Sequence, residues 1–138
     1  MFVLDTNVIS EPLKADPDKR VLAWLDNQVA ETLCTTAVNY AELLAGVACL
    51  PQGRRKRDLS LDVQKTMQGL FAGRILPFDL EAAAEYAQIE ALTRKIGVPL
   101  SVADQQIAVI AKIHGHSVAT RDVDPFRAAG LTVINPWE

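Results

Sequence analysis

Short apolar runs of β-type residues alternate with longer helical patterns along this chain. The first run is Phe2–Leu4, near the beginning of the sequence MFVLDTNVIS. Four more runs follow at Thr32–Thr35, Ile75–Phe78, Ser117–Thr120 and Leu131–Ile134. Helical patterns fill most of the gaps, and this order of elements is typical of an α/β/α sandwich around a mainly parallel sheet of about five strands. The alternation therefore predicts a fold of the α/β class.

Proline and glycine residues mark the predicted ends of several helices. Asp16-Pro17 is expected to begin a helix that carries Val21, and the segment Pro51-Gln52-Gly53 is expected to end another. Gly97 and Gly115 are expected to follow two more helices. With 138 residues, of which 49% are hydrophobic, the chain has the size and apolar content of one domain, so we expect a single domain over residues 1–138.

The composition excludes some classes of protein and leaves others open. The sequence contains neither a run of about 18 apolar residues nor a secretory leader pattern, so we expect a cytoplasmic protein. Cys34 and Cys49 lack a C-x-x-C spacing and are expected to be buried free thiols. The net charge of −3 argues against a surface coated with basic residues, but it does not decide the substrate.

Two helical patterns have more than one interpretation. Arg54–Arg57 is a basic run that is expected to begin a long helix reaching toward Phe71, either as a solvated face or as a contact for an RNA backbone. A second pattern places small residues at helical spacing, which predicts a helix face in the core or at an interface. Its members are Leu80, Ala83, Ala84, Ala87 and Ala91.

Glu42 lies in a segment, Ala37–Leu50, that is apolar nearly all round. We expect such a helix to be buried on most faces. A buried lone carboxylate would cost several kcal/mol, on the order of magnitude of its desolvation, unless it meets a cation or strong donors. No Lys or Arg lies in the segment, so a metal ion or an arginine from elsewhere is considered. The alternative is an acid at the exposed edge of the helix.

Asp5 and Asp104 both have a structural explanation as helix caps. Asp5 follows the first strand and can cap the helix after it, although Thr6 and Asn7 can do so equally well. Ser101 and Asp104 match a capping box, in which the serine caps the helix and the acid reaches back. Apolar residues follow Asp104 closely, so this acid is also expected at the beginning of a buried helix.

Asp122 and Asp124 follow the fourth predicted strand, in the sequence ATRDVDPF. Asp124 precedes Pro125, and an acid before a proline at the first helical position is a common way to begin a helix. Asp124 is therefore the expected cap, and Asp122 has no local structural role. We prefer Asp122 as a site residue for this reason.

The joint placement of these acids is more informative than any one of them. Asp5 and Asp122 follow strands, and ligands of open α/β sheets bind outside the carboxyl ends of strands. Several carboxylates at one place repel each other, and Mg²⁺ or Mn²⁺ would relieve that repulsion. Such ions can support phosphodiester hydrolysis without a protein nucleophile. His114 and His116 flank Gly115 at a helix end and are expected to be structural.

Six sequence motifs, taken in order and spacing, carry a family resemblance. They are LDTNVISEPL, AELLAG, LFAGRILPFD, VAD, ATRD and NPW, and they span almost the whole chain. With these motifs the sequence resembles the PIN-domain ribonucleases, and among them the VapC-type toxins of type II toxin–antitoxin modules, especially the FitB-like branch. The resemblance implies the PIN-domain α/β/α fold and a Mg²⁺-dependent endoribonuclease, in which Mn²⁺ can substitute.

The resemblance also implies roles for individual residues and partners. The acidic residues expected to bind metal and act in catalysis are Asp5, Glu42, Asp104 and Asp122. Beside them, the residues expected to support the acids or contact substrate are Thr6, Asn7, Thr120 and Arg121. The family further implies a homodimer inhibited by a VapB/FitA-type antitoxin, whose C-terminal segment occupies a groove and often presents an arginine to the acids. Operator DNA would be bound only through the antitoxin.

Two other functions compete with this interpretation. The chain could be a weakly catalytic or non-catalytic dimeric partner of a DNA-binding antitoxin, acting in transcriptional repression through avidity. Without the family resemblance, an acidic phosphotransfer domain is a third possibility. Aspartate-nucleophile phosphatases require an acid where Asn7 stands, and receiver domains require one where Thr6 stands, so both fit the sequence poorly.

Overall fold

Five parallel strands form the centre of the computed structural model, which describes all 138 residues. The order across the sheet is β3-β2-β1-β4-β5, and every neighbouring pair is parallel. The strands are β1 (Phe2–Leu4), β2 (Leu33–Thr36), β3 (Ile75–Leu76), β4 (Ser117–Ala119) and β5 (Val133–Ile134). The predicted α/β class with a five-stranded parallel sheet is confirmed, and no strand boundary differs from the predicted one by more than two residues.

Seven α-helices flank this sheet, and the two longest are α4 and α5, with 15 and 16 residues. Gly97 and Gly115 follow two of the helices with φ angles of 75° and 68°, the left-handed conformation that ends helices, as predicted. The helices are α1 (Thr6–Ser10), α2 (Lys19–Asp26), α3 (Ala37–Ala48), α4 (Arg54–Gln68), α5 (Leu80–Lys95), α6 (Val102–Ile113) and α7 (Val123–Ala128). None of them is long and apolar enough to cross a membrane.

Alternate residues of the central strands face opposite sides of the sheet and divide the core into two apolar layers. Val3 and Val118 belong to the layer that contains residues of α5, α6 and α7. Leu4 and Ala119 belong to the other layer, with residues of α1, α2, α3 and α4 and with Trp137. Because both faces are covered, the central strands β1 and β4 are buried over their last two residues, and those residues are apolar, as is common in parallel sheets.

The beginning of α2 differs from the prediction. This helix begins at Lys19, because the Asp18 side chain caps it by accepting a hydrogen bond of 2.8 Å from the Arg20 backbone N–H. The Asp16-Pro17 pair therefore lies before the helix, and the predicted boundary is wrong by two residues. Asp16 and Asp18 are both suitable N-cap residues, and in the folded chain Asp18 takes that position.

The prediction that α3 is buried on most faces is wrong. Only Asn39 and Leu43 of this helix are buried, and Leu44 is 48% exposed. Glu42 is also exposed, so the desolvation argument for a cation beside it does not apply. Apolar composition indicates how much of a helix can be buried, but it does not show which faces the rest of the chain covers.

The small-residue face of α5 is on the surface, so its predicted place in the core is wrong. Leu80 is 91% exposed, and the four alanines of this face are exposed as well. The buried side of α5 consists instead of Ala82, Ile89 and Thr93. The alternative, that this face is an interface, stays a prediction.

The remaining local predictions have mixed outcomes. Cys34 is buried and Cys49 is exposed; both are free, so the prediction of two buried thiols is wrong for Cys49. Its position at the end of α3, beyond the buried residues, explains the exposure. The basic run begins α4 as predicted. His114 ends α6 and stacks on His116 before β4 begins, at the opposite edge of the sheet from the acidic residues, which agrees with their expected structural role.

Candidate functional site

The candidate acids surround the carboxyl edge of the three middle strands. Asp5 follows β1, the central strand, and Asp122 lies three residues after β4. Glu42 is on α3, the helix that follows β2 directly, and Asp104 is in the first turn of α6. The parallel topology therefore brings residues from four distant parts of the sequence to one edge of the sheet.

Asp5 is both a helix cap and the buried centre of a hydrogen-bond network. Its side chain is only 6% exposed. Its Oδ1 atom accepts from the Thr6 backbone N–H at 2.8 Å, which caps α1, and from Asn39 Nδ2 at 3.1 Å. Its Oδ2 atom accepts from the Thr120 hydroxyl at 2.7 Å. Capping thus uses part of the carboxylate, while residues from α3 and from the end of β4 fix its orientation.

Glu42 is joined to Asp5 through the side chain of Thr6. The Thr6 hydroxyl donates to Glu42 Oε1 at 2.9 Å and accepts from Asn39 Nδ2 at 3.0 Å. Since Asn39 Nδ2 also donates to Asp5, one amide group holds both branches of this network. Glu42 is exposed, as the alternative interpretation expected, yet its carboxylate belongs to the same cluster as Asp5.

Asp122 is joined to the network from the other side. Asn7 Nδ2 lies 3.4 Å from both Asp122 Oδ2 and Thr120 Oγ1, and the Asp122 backbone N–H donates to Thr120 Oγ1 at 3.0 Å. Asp122 occupies the N-cap position of α7 without a capping bond from its side chain. Its carboxylate therefore lies against the Asn7 amide and does not cap the helix.

The prediction that Asp124 caps α7 is wrong. The helix begins at Val123, so that Asp124 lies within its first turn and Pro125 is the third helical residue. Proline is tolerated there because the first backbone N–H groups of a helix have no intrahelical acceptor. Asp124 therefore does not occupy the cap position, whereas the Asn7 amide connects Asp122 to the cluster.

Only one of the two hydrogen bonds of the predicted capping box forms between Ser101 and Asp104. The Ser101 hydroxyl caps α6 by accepting from the Asp104 backbone N–H at 3.1 Å. The reciprocal bond, from the Ser101 backbone N–H to the Asp104 carboxylate, is absent. The carboxylate is thus not needed to cap the helix, and it lines a hollow of about 460 Å³ together with Asp122.

Burial and mutual repulsion both act on these acids. Burial raises the pKa of Asp5 to about 6, against hydrogen bonds from Thr120 and Thr6 that lower it, and the charges of Asp104 and Glu42 add to the rise. The pKa of Asp104 is also raised, mainly by burial, with opposition from Ser101 and a further contribution from Asp122. The neighbouring carboxylates therefore add to the effect of burial on the pKa values of Asp5 and Asp104.

The donor atoms fit a hard divalent cation, but the side chains do not form a complete set of metal ligands. Carboxylate oxygens are the groups that Mg²⁺ and Mn²⁺ prefer, and repulsion among them favours a bound cation. No three His, Cys, Asp or Glu side chains lie close enough together to hold an ion as they stand. The cluster thus has the composition of a metal site without its final arrangement.

A comparison with protein families agrees with this geometry. The PIN domain model matches residues 2–131. The chain belongs to the PIN-domain family. It is 49% identical over its full length, and over 99% of the relative, to VapC ribonuclease Y4jK of Sinorhizobium fredii. It is 48% identical to Toxin FitB of Neisseria gonorrhoeae, with 99% of each chain covered. This PIN domain also superposes on FitAB bound to an IR36 DNA fragment with a TM-score of 0.96 and 47% identity, covering 100% and 96% of the two chains.

Sequence reasoning missed one residue that organises the site of this PIN domain. Asn39 is completely buried and donates to both Asp5 and Thr6. Thr36 fixes it in turn, since its hydroxyl donates to Asn39 Oδ1 at 2.7 Å and accepts from the Asn39 backbone N–H at 3.1 Å. An asparagine one helical turn before Glu42, in an otherwise apolar segment, is a signal that would have identified it.

Proposed function

We propose that this chain is a Mg²⁺-dependent endoribonuclease, with Mn²⁺ as a substitute, and the toxin of a type II toxin–antitoxin module. The observation that carries the proposal is the network around Asp5, which joins Glu42 and Asp122 to one buried carboxylate through Thr6 and Thr120. The names of its full-length relatives, a VapC ribonuclease and Toxin FitB, give independent support.

The proposed metal ligands are the four acids Asp5, Glu42, Asp104 and Asp122. A bound cation would supply activation of water and neutralisation of charge on the phosphoryl oxygens. Asn39 and Thr120 orient the Asp5 carboxylate, and Thr6 orients Glu42, so these residues limit the rearrangement that metal binding requires. Burial is the main cause of the raised pKa of Asp5, and the charges of Asp104 and Glu42 add to it; a bound cation would offset both effects by stabilising the ionised carboxylate.

The proposed inhibitor is a VapB/FitA-type antitoxin, through which the complex would contact operator DNA. A groove of about 320 Å³ begins at Thr6 and Glu42 and continues past Gly46 and Val47 of α3 toward Arg55 of α4. Its apolar walls and acidic end suit an antitoxin segment that carries an arginine. An added Cβ at Gly46 would meet nothing within 4 Å, so Gly46→Phe is a suitable obstruction that should weaken antitoxin binding and leave RNA cleavage intact. We also propose a homodimer, which sedimentation of the purified chain tests.

Cleavage of RNA by the antitoxin-free protein tests the proposed activity directly. Wild type, Asp5→Asn and Asp26→Asn are incubated with structured RNAs that include tRNAs, in the presence of Mg²⁺, Mn²⁺ or EDTA. Asp26 is exposed on α2, so its variant controls for the loss of one carboxylate outside the cluster. Discrete metal-dependent cuts by wild type and Asp26→Asn, absent with Asp5→Asn, are expected. No cutting by folded wild type in either metal would contradict the proposal.

Expression without the antitoxin distinguishes the enzyme from a purely repressive partner. A catalytic toxin should arrest growth, and Glu42→Gln should relieve the arrest at equal soluble levels. Normal growth with both wild type and variant at equal soluble levels would favour the repressive role. Because Glu42 is exposed, this substitution should leave the core intact, and a thermal denaturation curve checks that it does.

A further inference from the structure

Among the four residues that flank the acids, only Arg121 keeps its side-chain donors free. Thr6 donates to Glu42, Thr120 donates to Asp5, and the Asn7 amide lies within hydrogen-bond distance of Asp122. Arg121 is fixed through its backbone, whose N–H lies 3.4 Å from Asn7 Oδ1, and its guanidinium forms no hydrogen bond or ion pair in the protein. The other three residues hold the acids, whereas Arg121 has donors available for a ligand.

The Arg121 guanidinium lies over the ring of Trp137, with 5.5 Å between its central carbon and the ring centroid. This distance is within the range of a cation–π interaction. Trp137 is only 7% exposed and belongs to the apolar layer that also contains Leu4, Val8 and Ile9. One side of the ring thus belongs to the core, and the guanidinium lies against the ring, which restricts a long side chain to a small region beside the acids.

The C-terminal NPW motif accounts for the position of this ring. Asn135 Oδ1 accepts from the Trp137 backbone N–H at 3.0 Å, and Asn135 Nδ2 donates to Glu138 Oε1 at 3.2 Å. This Asx-type turn follows β5 directly, so it lies at the carboxyl edge of the sheet, where the parallel strand β4 also ends. None of the proposed metal ligands lies in the NPW motif. Its role is instead to place the Trp137 ring against the Arg121 guanidinium.

Arg121 shares its hollow with Asp104 and Asp122 without neutralising either of them. The hollow of about 460 Å³ also contains Asp124, Arg127 and Glu138. No carboxylate lies within 4.0 Å of the Arg121 guanidinium, although acids outnumber arginines in the hollow. A guanidinium held apart from four available acids, and restrained by an aromatic ring, is suited to an anion that comes from solution.

We propose that Arg121 binds a backbone phosphate of the RNA next to the metal-binding acids, and that Trp137 is the positioning residue that holds its guanidinium. The inference rests on the proposed function, because it states on which side of the acidic cluster the RNA substrate lies. The planar guanidinium can donate two parallel hydrogen bonds to a phosphate, and the nearby acids repel that phosphate unless such a cation receives it. Arg121 is thereby assigned to substrate binding, and Thr6, Asn7 and Thr120 to the support of the acids.

Direct RNA binding tests this assignment without relying on cleavage. The affinity of a short fluorescein-labelled single-stranded RNA is measured by anisotropy in Mg²⁺, in a Glu42→Gln background, over a series of salt concentrations. Adding Arg121→Ala should weaken binding about tenfold and reduce the slope of log Kd against log salt by about 0.7, the value for one phosphate contact on a single strand. Lys112→Ala removes the same charge at the opposite end of α6 and should change neither quantity.

Two further variants test whether binding needs the planar guanidinium as well as its charge, and whether it needs the contact with Trp137. Arg121→Lys keeps the charge but loses the planar fork, so its affinity should lie between those of the parent and Arg121→Ala. Trp137→Leu keeps apolar bulk and should raise KM with a smaller effect on kcat, provided that its thermal denaturation shows a folded protein. If it does not fold, Arg121→Lys alone decides whether geometry as well as charge is needed.

The outcomes distinguish failure of this inference from failure of the proposed function. Wild type that cleaves RNA, with Arg121→Ala unchanged in KM, affinity and salt slope, would overturn the inference alone. Binding that depends on Arg121, in a wild type that cleaves no RNA in Mg²⁺ or Mn²⁺, would support the phosphate site and overturn the nuclease. Equal losses with Arg121→Ala and Lys112→Ala would reduce the effect to net charge and overturn the specific contact.

Discussion

At the residue scale, the arrangement of the acids depends most on Asn39, which carries no charge. Its amide donates to Asp5 and Thr6, and its burial leaves no water to replace those bonds. Asn39→Ala should destabilise the fold by about 1–3 kcal/mol, because buried acceptors lose their donor. It should also lower cleavage by about 10- to 100-fold and raise the Mg²⁺ concentration required, as expected when a residue that orients a metal ligand is lost.

Cleavage over a Mg²⁺ series and urea denaturation measure these two effects of Asn39→Ala. Asn27→Ala, an exposed substitution at the end of α2, provides the matched control and should be close to wild type in both assays. A folded Asn39→Ala protein with wild-type activity and Mg²⁺ dependence would show that the network does not orient the acids.

Asp122 and Asp124 make different contributions at the same loop. The amide of Asn7 reaches Asp122, while Asp124 lies in the first turn of α7 and accepts no side-chain bond from the cluster. Asp122→Asn should therefore reduce the cleavage rate more than Asp124→Asn does. Rates at saturating Mg²⁺ measure the difference, and the opposite ranking would assign the fourth acid to Asp124.

The sequence identified residues whose role follows from their place after a strand, and it missed those whose role depends on distant partners. Asp5 and Asp122 were predicted because parallel strands end at one edge. Asn39 contacts Asp5 across 34 positions of sequence, and Trp137 meets Arg121 only because β4 and β5 are parallel neighbours in the sheet. No local pattern contains such contacts.

At the element scale, the N-terminus of α6 presents Asp104 to the site, and Ser101 fixes that first turn. Ser101→Ala should cost about 0.5–2 kcal/mol through loss of the cap and should lower cleavage, because the backbone that carries Asp104 becomes less restrained. Asp79→Ala is the matched control, since Asp79 caps α5 through a 3.0 Å bond from the Ala82 N–H and contacts none of the four acids. Equal activity of the two variants at equal loss of stability would contradict a special role for this cap.

Strand positions and most helix ends were predictable because they depend on local apolar patterns, capping residues and glycines. The exposed faces of α3 and α5 were not, and the error has one cause. Periodicity shows that Leu44 or Leu80 could be buried, but whether either residue is covered depends on which elements the rest of the chain places against it. The boundary of α2 failed for a related reason, since two suitable caps lie within three residues.

At the scale of the whole molecule, the strand order explains why the acids meet between β1 and β4. From β1 the chain adds β2 and β3 on one side and later β4 and β5 on the other. The point where the order reverses is where open α/β sheets bind ligands. Asp5 follows one of the two strands at this point, and Thr120 and Asp122 follow the other. The location of the site is therefore a property of the topology rather than of any one motif.

The burial of Asp5 at this edge of the sheet predicts that the acidic site destabilises the metal-free protein at neutral pH. The pKa of Asp5 rises from 3.8 to about 6 on folding, so the folded chain holds the proton more tightly than the unfolded chain. Its contribution to stability is fully present below about pH 4 and is lost as the pH rises through about 6, by about 3 kcal/mol at most. Asp5→Asn keeps the shape of the neutral side chain and avoids this loss.

Urea denaturation of wild type and Asp5→Asn in EDTA, at about pH 4 and about pH 7, measures this effect. The two proteins should be similar in stability at the lower pH, and the variant should be more stable at the higher pH. Mg²⁺ should then stabilise wild type at about pH 7 and leave the variant nearly unchanged, because a cation that binds only the folded, ionised cluster shifts the equilibrium toward it. A difference between the two proteins that is independent of pH and Mg²⁺ would mean that Asp5 serves only as the cap of α1. A difference that appears with pH and disappears with Mg²⁺ would connect the burial of this carboxylate to metal binding.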